Sequence, residues 1–203
     1  MNAVDPDHDA WLVDLDGTLY RPGPLKLMMA VELALLGAPA IGAIRKFRAE
    51  HERLRAERVA CESPFELQLE RAARAAGIET QRMRTLVEEW MVRRPARRLA
   101  RVRRHELFDE VERFRAAGGR TAIVSDYPAR AKLAGLGATA LFEVVVANGE
   151  PGGPTELKPS PVGYLAAASR LGVAPARCLV IGDRDDADGE AARRAGMAFR
   201  LCK

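Results

Sequence analysis

Four short segments of the 203-residue chain gather side chains able to hold a cation and a phosphoryl group. WLVDLDGTLY (11–20) carries Asp14, Asp16 and Thr18, and TAIVSDY (121–127) carries Ser125 and Asp126. LKPSP (157–161) carries Lys158, and VIGDRDDAD (180–188) carries Asp183, Asp185, Asp186 and Asp188. Carboxylates brought together repel one another and raise each other's pKa unless a cation sits among them. Oxygen ligands select a hard metal, and Mg²⁺ typically takes one or two carboxylates while leaving room for a substrate phosphate. A lysine and a hydroxyl nearby suit the phosphoryl oxygens. If the fold brings these segments together, the chemistry is Mg²⁺-assisted phosphoryl transfer.

The elements that must do this can be read from the apolar pattern. Ala10–Val13 is a short buried strand stopped by Asp14, Gly17 and Thr18. From about 24 to 92 the pattern is helical. Residues 27–44, apolar apart from Glu32, read as two short packed helices broken near Gly37–Pro39, because they barely reach membrane-spanning length and are interrupted. Ser63-Pro64-Phe65-Glu66 has the form of a capping box opening a helix that stops at Gly77. Thr80 is placed to cap the next helix, which should end before Pro95. After about residue 105 helices and strands alternate. Helix 106–117 precedes strand Arg120–Ser125, and a helix near 128–136 precedes strand Phe142–Ala147. A helix opened by Ser160-Pro161 precedes strand Cys178–Ile181, and helix 187–195 precedes strand Ala198–Leu201. Apolar runs of this length alternating with helices predict an α/β fold: a Rossmann-like parallel sheet with helices on both faces. In such a sheet, ligands bind at the carboxyl ends of the strands, where all four segments fall.

In order and position these segments resemble the four motifs of the haloacid dehalogenase-like superfamily, most of whose members are phosphatases. The resemblance covers the first strand and about residues 106–203; residues 21–105 match as an insert in the place of a cap. It implies a core of residues 1–20 and 105–203, with 21–104 as an inserted α-helical cap of the first type. By position, Asp14 resembles the family's nucleophile, which forms an aspartyl-phosphate, and Asp16 its general acid and base. The Asp14 carboxylate, the Asp16 main-chain carbonyl and Asp183 would hold Mg²⁺. Thr18, Ser125, the amide of Asp126 and Lys158 would bind the phosphoryl oxygens. Two departures stand out. Relatives with this cap position commonly place an acid four residues after the one at Asp183, and here that is Ala187. Asp188 is therefore favoured as the supporting acid, holding Lys158 or a metal-bound water, with Asp186 in reserve. Asp126 stands where many relatives have Asn, and with only its amide needed, little consequence is expected.

The resemblance implies a Mg²⁺-dependent hydrolase of a small soluble phosphate monoester. A phosphomutase would use the same residues, whereas a haloacid dehalogenase or phosphonate hydrolase needs no acid at Asp16. A module of another class would keep the fold without catalysis and engage an anionic partner through RRPARRLARVRR (93–104). Those seven Arg turn a balance of −3 into the chain's net charge of +4, so the basicity is a patch, read either as steering for an anion or as a solvated linker. Hydrophobic content of 48% with 30% charge excludes wholesale disorder, and 5% aromatics argues against an all-β sandwich. Three cysteines with no C-x-x-C pair give no disulfide framework or zinc site. MNAVDPDHDA lacks the regions of a signal peptide, so a cytoplasmic enzyme is expected, as a monomer or homodimer, with neither nucleic acid nor membrane as partner.

Overall fold

The computed structural model describes residue 5 and residues 7–202. Five parallel strands form one sheet in the order β3-β2-β1-β4-β5: β1 Ala10–Val13, β2 Arg120–Ser125, β3 Val144–Ala147, β4 Cys178–Gly182 and β5 Ala198–Leu201. Between β1 and β2 lie α1 Pro22–Leu36, α2 Ala38–Glu57, α3 Pro64–Ala76, α4 Thr80–Val87, α5 Arg94–Ala96 and α6 His105–Ala116. The later crossovers carry α7 Arg130–Leu136, α8 Val162–Leu171 and α9 Glu190–Ala195.

Alternation along β1 explains the layering, because successive side chains of a strand point to opposite faces. Trp11 and Val13 face a core built with Leu107, Val111, Phe114 and Leu133 of α6 and α7. Ala10 and Leu12 face Tyr164, Ala167 and Leu171 of α8 and Ala191 of α9. A third cluster, with Phe47, Phe65, Leu69, Met83 and Val87, is built by the helices that follow β1, with Tyr127 from beyond β2 packed against it. That insert leaves and rejoins the sheet at one doorway. Arg21 N–H donates to the Val102 carbonyl at 2.8 Å and Arg104 N–H to that of Leu19 at 2.9 Å.

Several local expectations need correction. The helices on either side of Gly37 are not short but 15 and 20 residues long. Gly37 is where they part, and a Cβ there would overlap the Trp90 ring. Ser63 caps α3 as expected, accepting from Glu66 N–H, and Gly77 ends it in the left-handed region. Thr80, by contrast, is the first helical residue of α4 and caps nothing; Glu79 precedes it without a side-chain cap. Pro95 does not end the helical path. Residues Glu88–Arg93 widen into a π-helical turn, in which Arg94 N–H reaches back to Glu89, and Pro95 is accommodated just beyond. β3 starts at Val144, with Phe142 buried ahead of it, and α9 starts at Glu190 after a π-helical turn at Asp185–Gly189. The Arg run is not a solvated linker either. It is folded into short helical turns, with Arg94 and Arg98 paired to Glu32 of α1 and Arg104 donating to the Gly17 carbonyl. No helix among the described residues is long and apolar enough to cross a membrane.

Candidate active site

The register of the sheet sets the site. Val13 lies opposite Ile123 on one side and Ile181 on the other, so the residues leaving β1, β2 and β4 emerge side by side. Asp14 N–H is tied to the Ile181 carbonyl at 2.8 Å, fixing the first residue of the loop against β4. Gly17 then turns with φ +105°, and a Cβ there would overlap the Asp183 carboxylate. This turn brings the Asp14–Thr18 loop against the end of β4.

Lys158 is the hub. Its buried ammonium donates to Asp14 Oδ1 at 2.5 Å, to Asp188 Oδ1 at 2.8 Å and to the Val124 carbonyl at 3.0 Å. Burial opposes its charge, yet Asp14 and Asp188 hold its pKa well above the ordinary lysine range. Thr18 Oγ1 donates to the other Asp14 oxygen at 3.0 Å. Burial, reinforced by the nearby charges of Asp188 and Asp16, pushes Asp14 up to about 8 against the pull of Lys158. Asp183 is likewise raised by burial and by Asp188. Carboxylate oxygens of Asp14, Asp183 and Asp188 lie within 4.8 Å of one another. Two lysines, Lys158 and Lys132, face these three acids and Asp16, which leaves the cluster short of positive charge. The donor set is all oxygen, so a divalent hard cation fits it.

The structure separates the acids of the last segment. Asp188 is buried, accepting from Lys158, from Tyr164 OH at 2.8 Å and from Arg184 N–H at 3.2 Å. Asp186 points away, paired with the exposed Arg184 side chain, and Asp185 pairs with Arg193. Ser125 Oγ, at the end of β2, accepts from Tyr127 N–H at 3.2 Å. The Asp126 side chain is more engaged than its sequence position suggests. Oδ1 accepts the Lys158 main-chain N–H at 3.2 Å, and Oδ2 lies 3.9 Å from His51 Nε2 of α2.

Asp16 sits beside this cluster with partners that the sequence did not reveal. Lys132 Nζ lies 2.6 Å from both of its oxygens, and Tyr20 OH donates at 2.5 Å. Tyr20 is four residues on, and Lys132 is a buried lysine in the apolar stretch of α7; that misfit of a charge in an apolar helix was the available signal. Tyr164 and His51 carried none, since a tyrosine or a histidine on a helix face is ordinary. His51 stacks on Tyr127 with ring centroids 4.5 Å apart, so α2 touches the end of β2 directly.

A family model for haloacid dehalogenase-like hydrolases matches residues 8–196, insert included. The chain is 34% identical over 197 residues to a phosphoglycolate phosphatase of Xanthomonas campestris pv. campestris (strain 8004), covering 93% of this chain and 80% of that one. Its fold is similar to a 2-haloacid dehalogenase from Pseudomonas syringae pv. Tomato DC3000, with TM-score 0.63, 21% identity, and coverage of 96% of this chain and 86% of that one. It is also similar to a HAD phosphatase from Thermococcus onnurineus, with TM-score 0.58, 19% identity and coverage of 95% and 85%. The structural likenesses speak to the fold, while the family match and the 34% relative speak to descent. The chain is an enzyme belonging to the haloacid dehalogenase-like hydrolases.

Proposed function

We propose that this hydrolase is a Mg²⁺-dependent phosphatase of small phosphate monoesters, working through an aspartyl-phosphate on Asp14, in the reducing cytoplasm that its unpaired cysteines suit. One observation carries the reading: a buried nucleophilic carboxylate, a lysine and a hydroxyl converge on one point, with a second carboxylate, Asp16, beside them. A dehalogenase has no use for that second acid, and the curated relative is named a phosphatase. The Asp14 and Asp183 carboxylates, with the Asp16 main-chain carbonyl, would hold the ion, and when bound it neutralises charge on the phosphoryl oxygens.

Two displacements at phosphorus complete the reaction. An Asp14 oxygen attacks, the bond to the ester oxygen breaks, and Asp16 gives that oxygen its proton. Asp16, now a carboxylate, takes a proton from water, whose oxygen attacks phosphorus and releases Asp14 and inorganic phosphate. Lys132 and Tyr20 orient Asp16, and for it to carry the proton it gives to the ester oxygen, one of its oxygens must give up its contact with Lys132 as the ester binds. Lys158, Thr18, Ser125 and the Asp126 amide would meet the phosphoryl oxygens. Asp188, through Lys158, is a positioning residue. The helices of 21–104 would act as a cap that excludes water from the site.

The test is the leaving group. Asp16→Asn should slow hydrolysis of an alkyl phosphate by roughly 10²–10⁴, the worth of a positioned acid. Nitrophenolate leaves without a proton, so nitrophenyl phosphate should give a burst of nitrophenol followed by slow turnover, with phosphate retained on Asp14. Equal losses on both esters and no adduct by mass spectrometry would reject the role of Asp16. Undiminished turnover in excess chelator would reject the metal.

A further inference from the structure

Two cavities meet at Asp16. The smaller, about 110 Å³, is the polar one, with Asp14, Ser125, Lys158 and Asp188 in its walls. The larger, about 600 Å³, shares Asp16, Tyr127, Asp183 and Arg184 with it and extends under the helical insert. Apolar side chains, Leu25, Met29 and Leu33 of α1, Ile44 of α2, and Trp90 and Met91 from the π-helical turn, share its walls with polar and charged ones, among them Tyr20, Lys132 and Asp16. Leu25, Met29 and Leu33 stand four residues apart, so one whole face of α1 looks into the cavity. Met29, Leu33, Trp90 and Met91 are only half-buried, which means that the protein itself does not cover them. Of the cations on the same walls, Lys26, Arg45, Arg48 and Arg184 are exposed, and Lys132 is buried and paired with Asp16.

A glycolyl-sized leaving group would leave these apolar walls facing water. A volume of this size takes a much larger ligand, and apolar walls with a few polar groups at one end are what such a ligand needs. Asp16 lies at the junction, where the ester oxygen of a phosphate held in the small cavity would stand.

We propose that the natural leaving group is a hydrophobic alcohol. The phosphate of the monoester occupies the small cavity, its ester oxygen lies at Asp16, and its alkyl or aryl body lies against α1 and Trp90. This rests on the phosphatase reading and narrows the substrate, not the reaction, which remains the hydrolysis written above.

The experiment measures two things on the intact protein with Mg²⁺: kcat/KM for ethyl, butyl and hexyl phosphate beside 2-phosphoglycolate, and Kd for the matching unreactive alkylphosphonates. Each methylene that enters an apolar wall should raise kcat/KM and affinity by about three- to fourfold, so hexyl phosphate should exceed ethyl phosphate by roughly 10². Leu33→Asn and Trp90→Ala should each cut the hexyl-to-ethyl ratio by about tenfold or more. A ratio taken within one preparation does not depend on how much of the variant has folded. Values that stay flat with chain length, or a preference for 2-phosphoglycolate over hexyl phosphate, would overturn the inference and leave the phosphatase standing. Phosphonate affinity that rises with chain length while no ester is turned over would uphold the apolar subsite and remove the phosphatase instead.

Discussion

At the carboxyl edge of the sheet, charges are buried and shared. Lys158 serves two carboxylates and a carbonyl, and Asp16 takes a lysine and a tyrosine. In the helical insert, many charges sit at the surface in pairs such as Arg71 with Glu57 and Arg93 with Glu88, with Glu50 and Glu32 more sheltered, while apolar side chains face the large cavity. A buried charge network is costly to alter, because removing one partner strands the other in low dielectric. A surface pair is worth little, and an apolar wall tolerates exchange of one hydrophobe for another. The edge is therefore built to keep one chemistry, and the insert is free to change which ester reaches it.

The largest expected effect is at the edge. Asp14→Asn keeps the size of the side chain and one oxygen to accept from Lys158, with its amide N–H able to donate to the Thr18 hydroxyl, but an amide oxygen does not form the phosphoryl intermediate. Hydrolysis of every ester should fall to the uncatalysed rate, measured by phosphate release, with the thermal transition still cooperative. Residual turnover well above background would move the nucleophile elsewhere.

Next come the neighbouring acids of the last segment, which look alike in sequence and differ entirely in surroundings. Asp188→Asn weakens the hold on Lys158 and should lower kcat/KM by roughly 10–100-fold, as the loss of a supporting partner does. Asp186→Asn frees only an exposed arginine and should stay within about twofold. Reversed magnitudes would exchange their roles.

The seam between the two regions should show in the pH dependence of stability. His51 of the insert is buried against Asp126, Tyr127 and Gln68, with Arg55 and Glu52 nearby. Burial lowers its pKa below the 6.5 of an unperturbed histidine, and Asp126 opposes that only in part. The unfolded chain then binds the proton first. The part of the stability that His51 controls should be level above about 6.5 and should be lost as pH falls below it. His51→Gln should remove this part of the acid sensitivity, so the two proteins' melting temperatures should diverge between pH 7.5 and 5. Parallel curves would mean that His51 is not desolvated.

Much of the edge was legible because it is local. Four-residue runs such as Ala10–Val13 and Cys178–Ile181 are too short and too apolar for surface helices, and the chemistry-bearing residues follow them directly. Asp188 could be favoured over Asp186 before the fold was known. What was missed depends on contacts between distant segments. Lys132 is 116 residues from Asp16, and its partner is set by how α7 packs. The Asp126 carboxylate looked idle because its uses, Lys158 N–H and His51, come from elsewhere in the chain. Pro95 looked like a helix stop because single-residue propensity does not see the π-helical turn that accommodates it.

The smallest effect concerns the Arg run, which reads as one patch but behaves as separate residues. The Arg98 guanidinium lies 2.7 Å from Glu32 Oε2, and the Glu32 side chain is only 14% exposed, so this pair is partly shielded and joins α1 to the end of the insert. Arg97, one residue earlier, is exposed. Arg98→Gln should cost about 0.5–1 kcal/mol, the upper range for an ion pair that still meets solvent. In a chain of this length that is about 1–4 °C in melting temperature. Glu32 keeps Arg94 as a second partner, which is why the loss should not be larger. Arg97→Gln should change stability by less than about 0.5 kcal/mol. High salt separates the two explanations. If Arg98 acts through Glu32, its cost should persist when exposed charges are screened; if the run acts only through summed charge, both variants should match and both effects should vanish in salt.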